Sequence, residues 1–464
     1  MNDARARRAL DGAEAGLVRM ALNHPDDDVG RLVSAARYGV ALARLGEVDR
    51  ADGSVVDFGP RLHAHRAWVL EHLEPRLADP DPLWAVLPWL PDLVARTRTW
   101  RHELLRDVDR DALEHELTHR RLALVLGGGG GAGYGYSGVF DALHRAGLVP
   151  DLVVGTSIGA LLGMFRAQHR RFDMASLMAT AKRLSWSKVF RVLETESRYG
   201  LPAALRLYLR AALRGRLEAP DGSALRMKDM EIPLYIIVAG LTVDAMRHNL
   251  DWYEHLLDPS GFGSAGMTVR TALKAMSVVR EFLSRPEALV QIVCGRDEGT
   301  EEFDVLDAAG FSAAVPGVIH YDVLRDDPRM RMLLDRLYAR YGITRLGEGG
   351  LVANVGAKVA WESFVGGKLG PGRTPVTLAV DCFWPNPRTP VWFPLQQAVR
   401  SGNVAANRPF ADVYLPLSKT LSPMNLVPGI RDTLTAMQWG KDAMDPHLPF
   451  LAAMLRGPEI LHDR

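Results

Sequence analysis

Cysteine is nearly absent. Cys294 and Cys382 are the two in 464 residues, which excludes a disulfide framework and fits a reducing compartment. Lysine is scarce too: of 56 basic residues only eight are lysine, a skew that a GC-rich bacterial genome produces. Neither sign of charge dominates, since 56 basic side chains face 55 acidic ones for a net charge of +1. That balance excludes a whole-chain nucleic-acid or polyanion binder, although local patches stay open. Long apolar runs are also missing. Nowhere do 18 uncharged apolar residues run together, so no transmembrane helix is expected. The N-terminus, where Asp3, Asp11 and Glu14 mix with arginines, lacks the apolar stretch of a signal peptide. The expectation is a soluble, cytoplasmic protein, with peripheral contact at a membrane left open.

What is present suffices for a large core. Hydrophobic residues make up 47% and charged residues 24%, ordinary values for a globular chain. The length suits one domain with insertions, or two to three domains. Residues 1–119 read as helical, with apolar residues at three- and four-residue spacing through Leu17–Leu45, Trp68–Leu77 and Leu104–Leu117. The Asp79-Pro80-Asp81-Pro82 stretch breaks that pattern. No strand alternation is obvious there, and no chemistry is legible.

The pattern changes at Arg121. Leu122 to Leu126 is a short apolar run that enters Gly127–Gly131, and such a run reads as a buried strand. A helix pattern follows (Val139, Leu143, Ala146), with Gly147 as its stop. Asp151 to Val154 is a second strand, followed by Gly155-Thr156-Ser157-Ile158-Gly159 and an apolar helix. This βαβα unit implies an α/β fold with a mostly parallel sheet. Further strands are expected at Leu234–Ala239, Leu351–Val352 and Val376–Val380. The expected division is a helical region 1–119, an α/β domain 120–417 and a helical C-terminal segment 418–464.

Gly155-x-Ser157-x-Gly159, between a strand and a helix, has the form of a nucleophile elbow. A sharp turn exposes the serine hydroxyl, and flanking glycines let strand and helix pack closely. The pattern alone is weak, but the preceding glycine run can present backbone N–H groups to a developing oxyanion. A glycine loop plus a serine elbow is what acyl transfer needs.

Together these residues resemble the patatin-like phospholipase family. The similarity rests on Gly128 to Gly133, Gly138-Val139-Phe140, Ala146-Gly147 and Asp151 to Ala160. It continues in Ala308 to Gly317 and in Glu348-Gly349-Gly350-Leu351-Val352-Ala353-Asn354, and spans roughly residues 121–416. The resemblance implies a three-layer α/β sandwich and a lipid acyl hydrolase of phospholipase A or lysophospholipase type. It implies a serine–carboxylate dyad with no histidine, cofactor or metal, and a membrane lipid or fatty acyl ester as substrate. Carried over by position, Ser157 is the nucleophile. Gly128, Gly129, Gly130 and Gly131 contain the oxyanion hole, with its register open in a five-glycine run. The carboxylate slot falls on Glu348, where the family has Asp. Ala132 stands where the family usually has Arg or Lys, which weakens the expectation of a phospholipid head group. A catalytically weak lipid-binding module and a soluble-ester hydrolase are the alternatives. Asp381 is a reserve carboxylate, more simply read as a strand-end Asp that satisfies loop amides.

Three other motifs compete. Gly133-x-Gly135-x-x-Gly138 matches a dinucleotide fingerprint, but the second strand ends in Gly155-Thr156-Ser157 rather than an acid. His115-Glu116-Leu117-Thr118-His119 matches a zinc-protease signature without a third ligand. Ser185-x-x-Lys188 lacks companion boxes. Charge is more informative. Between Arg166 and Arg216 twelve basic residues face three acids, a local excess of +9. Leu205, Leu209, Leu213 and Leu217 recur every fourth residue beside Arg206, Arg210 and Arg214, with Trp186 nearby. Such a basic amphipathic segment suits an anionic membrane surface, or packs its leucines onto the core. The stretch from Asp244 to Glu301 reads as a lid or tunnel insertion. Oligomeric state is not legible.

Overall fold

The computed structural model describes every residue except 1–2, 25–26, 80–81, 192–196, 214, 257–261, 264–265, 268, 324–326, 386–391 and 462–464. The chain forms two compact units, residues 1–122, 361–376 and 447–464 in one, and 123–360 and 377–446 in the other. The cut does not follow the chain linearly. Of the expected C-terminal segment, 418–446 belongs to the α/β unit, whereas 447–464 belongs with the N-terminal helices.

The first unit is helical, as its spacing predicts, with long helices at Asp3–Asn23, Asp27–Arg44, His63–Leu77 and Leu90–Leu104. It also contains an antiparallel hairpin, Glu47–Asp49 with Val55–Asp57. Three residues per strand are too few to show alternation, but Asp52-Gly53 between them was a turn signal. Glu14 is fully buried among Arg37, Arg44 and Arg120. Burial raises its pKa, yet the three guanidinium groups outweigh burial and hold it well below the carboxylate range.

The second unit is built on a seven-stranded sheet. Its strands are β1 (Arg121–Leu126), β2 (Leu152–Gly155), β3 (Leu234–Leu241), β4 (Leu289–Cys294), β5 (Arg345–Gly347), β6 (Pro375–Asp381) and β7 (Val413–Pro416). They run in the order β4-β3-β2-β1-β6-β7, with β5 pairing β3. The β1–β2, β2–β3 and β6–β7 pairs are parallel. The β3–β4 and β3–β5 pairs are antiparallel. Leu122 to Leu126 are all buried, as a strand covered on both faces requires. Each such leucine contributes about 1.5–3 kcal/mol by leaving water.

The helices that matter to the site are α1 (Tyr136–Arg145), α2 (Ile158–Ala167), α3 (Met174–Arg183), α4 (Val269–Leu283), α5 (Val305–Ser312) and α6 (Ile430–Met444). Helix α1 ends where expected: Gly147 adopts φ +71°, the left-handed stop glycine tolerates best. Helix α6 packs along α1. The strand expected at Leu351–Val352 is instead a one-turn helix, Gly350–Ala353. The strand lies just upstream, at β5, and Gly349-Gly350 turns the chain out of the sheet.

The basic segment is not one amphipathic helix. Ala203–Leu207 is a strand, paired in parallel with Gly317–His320 and antiparallel to Phe190–Arg191. Leu209–Ala212 is a single helical turn. Leu205, Leu209, Leu213 and Leu217 are all buried, so packing claims the leucines whatever their spacing suggests.

Candidate active site

Ser157 sits between β2 and α2 with φ 55° and ψ −122°. Among the described residues it shares a positive φ with one other non-glycine, Leu217. A strained serine at a strand–helix junction is the geometry that aims a hydroxyl outward. Both flanking glycines are required by space. A Cβ on Gly159 would lie 2.2 Å from the Leu126 carbonyl oxygen, and one on Gly155 would lie 2.6 Å from the Gly159 oxygen.

Glu348 follows β5 and is buried. The glycine loop passes against both residues: a methyl on Gly128 would lie 3.0 Å from Ser157 Cβ and 3.5 Å from Glu348 Oε1. Glu348 Oε1 accepts from the Gly350 amide at 3.2 Å, whereas Oε2 is buried with no hydrogen-bond partner. Burial pushes the pKa up to about 8, against the lowering effect of the Gly350 amide and the Ser157 hydroxyl. A carboxyl of this kind can exchange a proton near neutrality.

The glycine amides divide into two groups. Gly128 donates to the Oδ1 and the carbonyl oxygen of Asn354, each at 3.2 Å. Gly131 donates to the Pro423 carbonyl at 2.8 Å. The amides of Gly129 and Gly130 have no acceptor among the described residues, and neither has that of Ile158 at the start of α2. Gly130, Ser157 and Ile158 line one cavity. Gly129, Gly130, Ser157 and Glu348 line a second. A helix N-terminus with unpaired amides is a ready anion site, so this corner can receive developing negative charge on an oxygen bound to Ser157.

A family model described as patatin-like phospholipase matches residues 124–361, a little over half of the chain. The chain belongs to the patatin-like phospholipase family. It is 32% identical over 192 residues to patatin-like phospholipase domain-containing protein 6 of Pongo abelii, covering 40% of this chain and 13% of that protein. It is 36% identical over 115 residues to patatin-like phospholipase domain-containing protein 7 of Mus musculus, covering 25% of this chain and 8% of that one. A protein of Scheffersomyces stipitis named as a lysophospholipase is 39% identical over 80 residues, 16% of this chain and 5% of that protein. The chain therefore spans a small part of the length of these relatives.

Within this patatin-like fold, several supporting residues escaped sequence reasoning. Ser312, at the end of α5, accepts from the Ser157 amide and donates to the Ile237 carbonyl at 2.6 Å. Its own carbonyl receives the Gly349 amide. Asn354 clasps Gly128, and Asn403 receives the Asn354 amide at 3.0 Å while donating to the Gly350 carbonyl at 2.8 Å. Ser312 and Asn354 lie inside the two segments that carried the resemblance, but nothing in their spacing marked them. Asn403 had no local signal.

The remaining candidates fall elsewhere. Asp381 accepts from the Phe383 amide at 2.8 Å and from the Tyr414 hydroxyl, the strand-end role expected of it. Glu116 accepts from the Gly372 and Arg373 amides and from the Arg373 guanidinium, and the His115 and His119 rings stack at 4.6 Å. Arg210, expected at a membrane face, instead pairs with buried Asp304 and Asp307, each at 2.5 Å. That ion pair consumes its charge within the fold. Arg206 stacks over Tyr208. Trp186 is half-buried against Phe190, with ring centroids 4.8 Å apart. Arg214 lies outside the described residues. No helix among the described residues is long and apolar enough to cross a membrane.

Proposed function

We propose that this chain is a serine ester hydrolase that cleaves fatty acyl esters at a lipid surface through a Ser157–Glu348 dyad. The observation that carries the reading is the strained Ser157 turn beside a buried carboxyl and unpaired amides. Glu348, as the carboxylate, takes the Ser157 proton while Oγ bonds to the ester carbonyl carbon. The Gly129, Gly130 and Ile158 amides stabilise the oxyanion. The bond to the alcohol oxygen then breaks, and the alcohol leaves with the proton held by Glu348. Water, deprotonated by the same carboxylate, releases the fatty acid and restores Ser157.

Contact with an anionic surface shifts to a different set of residues. Lys182, Arg183, Lys188 and Arg191 are exposed, on segments whose Leu184, Val189 and Phe190 line the first cavity. Leu273 on α4 and Leu434 on α6 are also exposed, and the same two helices supply Met276 and Thr433 to the cavity walls. Basic and apolar side chains around an acyl-binding site suit peripheral docking.

Fatty-acid release from mixed phospholipid and neutral-lipid substrates tests the reading. Wild type is expected to be active, with Ser157→Ala and Glu348→Gln each at least 10³-fold slower. Activity surviving Ser157→Ala removes the mechanism. Loss in Ser157→Ala with full activity in Glu348→Gln moves the base elsewhere. Liposome binding without turnover by wild type favours a lipid-binding module instead.

A further inference from the structure

Two cavities meet at Ser157. The first, about 150 Å³, is walled by α2, α3 and the strand Ala203–Leu207, through residues such as Leu161, Phe165, Leu177, Ala181 and Leu207. The second, about 130 Å³, is walled by α4 and the following segments, through Met276, Val279, Leu351, Trp392 and Leu395. Gly130, Ser157, Val315, Ile319 and Leu426 belong to both. Each is of the order of an engineered apolar cavity that admits a benzene ring, room for the part of a chain nearest the ester. Among the described residues neither wall contains a lysine, arginine or histidine, and the ionisable carboxyl among the described lining residues is Glu348.

We infer that the substrate is an uncharged ester with two apolar halves, an acyl chain on one side of Ser157 and a long or acylated alcohol on the other. The inference rests on the hydrolysis proposed above and deepens it. Proton bookkeeping assigns the halves. The departing alcohol oxygen must recover the proton held by Glu348, so the alcohol occupies the second cavity, which Glu348 lines. The acyl chain takes the first, which Glu348 does not line. A single-chain phospholipid uses this site badly. Its alcohol half would place a phosphate within a few bonds of the ester, in an apolar wall with no cation among its described residues to receive it and a carboxylate nearby. Burying such a charge unpaired is strongly unfavourable. Ala132, itself buried, supplies no cation in the loop either. A diacylglycerol or a long-chain alcohol ester leaves neither cavity empty and buries no charge.

The test compares four oleoyl substrates in the same nonionic detergent micelles: ethyl oleate, oleyl oleate, dioleoylglycerol and oleoyl-lysophosphatidylcholine. The expected kcat/KM for oleyl oleate and dioleoylglycerol exceeds that for the lysophospholipid at least ten-fold, the scale at which a filled apolar pocket discriminates. Val279→Phe, which narrows the second cavity, should lower the ratio of oleyl oleate to ethyl oleate hydrolysis at least ten-fold. Ala181→Phe, which narrows the first, should slow both oleates without changing that ratio. Equal or faster turnover of the lysophospholipid, or an oleyl-to-ethyl ratio untouched by Val279→Phe, overturns the two-halved substrate. Ser157→Ala run on ethyl oleate keeps the two ideas apart. If it still hydrolyses that ester, or if wild type hydrolyses none of the four, the serine hydrolase reading fails and the substrate inference with it.

Discussion

The Ser312 hydroxyl accepts a hydrogen bond from the Ser157 amide at 2.9 Å. Because Ser312 also donates to the Ile237 carbonyl, it ties the strained serine turn to strand β3. Ser312→Ala leaves a buried amide and a buried carbonyl short of a partner, about 1–3 kcal/mol. The expected result is kcat lowered about 10- to 100-fold with KM changed less than three-fold, since Ser312 positions Ser157 without lining either cavity. Steady-state kinetics on a short-chain chromogenic ester reads the split, and thermal unfolding reads the destabilisation.

Glu348 makes the proposed activity depend on pH. Its pKa is pushed up to about 8, and only the carboxylate can accept the Ser157 proton. The expected kcat/KM therefore rises with pH through about 8 and levels above it. A profile flat from pH 6 to 9 would show that the carboxyl is ionised throughout or uninvolved.

The same group acts on stability with the opposite sign. A carboxyl whose folded pKa exceeds its unfolded one binds more protons when folded, so its contribution is present below about pH 4.5 and lost as pH rises to about 8. The loss approaches about 5 kcal/mol at most. Urea midpoints of wild type should fall across that window relative to Glu348→Gln, and the two curves should run parallel above it.

Gly159→Ala should be severe despite its small size. The added methyl meets the Leu126 carbonyl at 2.2 Å, and backbone on both sides must move. The expected loss is about 3 kcal/mol or more, with activity falling beyond what the remaining folded fraction explains. Circular dichroism melts and active-site titration separate the two effects.

Two arginines of the basic segment should behave differently. Arg210→Ala leaves buried Asp307 with the Tyr321 hydroxyl but no cation, while Asp304 keeps Arg329, and should destabilise by about 3 kcal/mol. Exposed Arg183→Ala should change stability by less than about 0.5 kcal/mol yet weaken binding to anionic vesicles. Equal vesicle binding by wild type and Arg183→Ala would place the docking surface elsewhere.

Local signals carried far in this chain. The apolar run Leu122–Leu126, the stop at Gly147 and the Gly155-x-Ser157-x-Gly159 turn are short-range features, because strand, helix and turn geometry are set by neighbours in sequence. They were legible and the structure has them. The leucine spacing from Leu205 to Leu217 was not decisive, since four-residue spacing fits a helix face as well as a strand and turn that bury the same side chains. Leu351–Val352 likewise looked like a strand because two apolar residues carry no period.

The sequence by itself determined the strand–helix–strand–helix unit from Leu122 to Phe165, the family and the serine turn. All of these follow from steric and apolar patterns over a few residues. Only the tertiary structure decided which glycine amides find an acceptor among the described residues, because Asn354 and Pro423 reach Gly128 and Gly131 from more than 200 residues away. It decided that Arg210 faces inward, where distant carboxylates hold its charge. It also set the acidity of Glu348, because desolvation is a property of what surrounds a side chain in space.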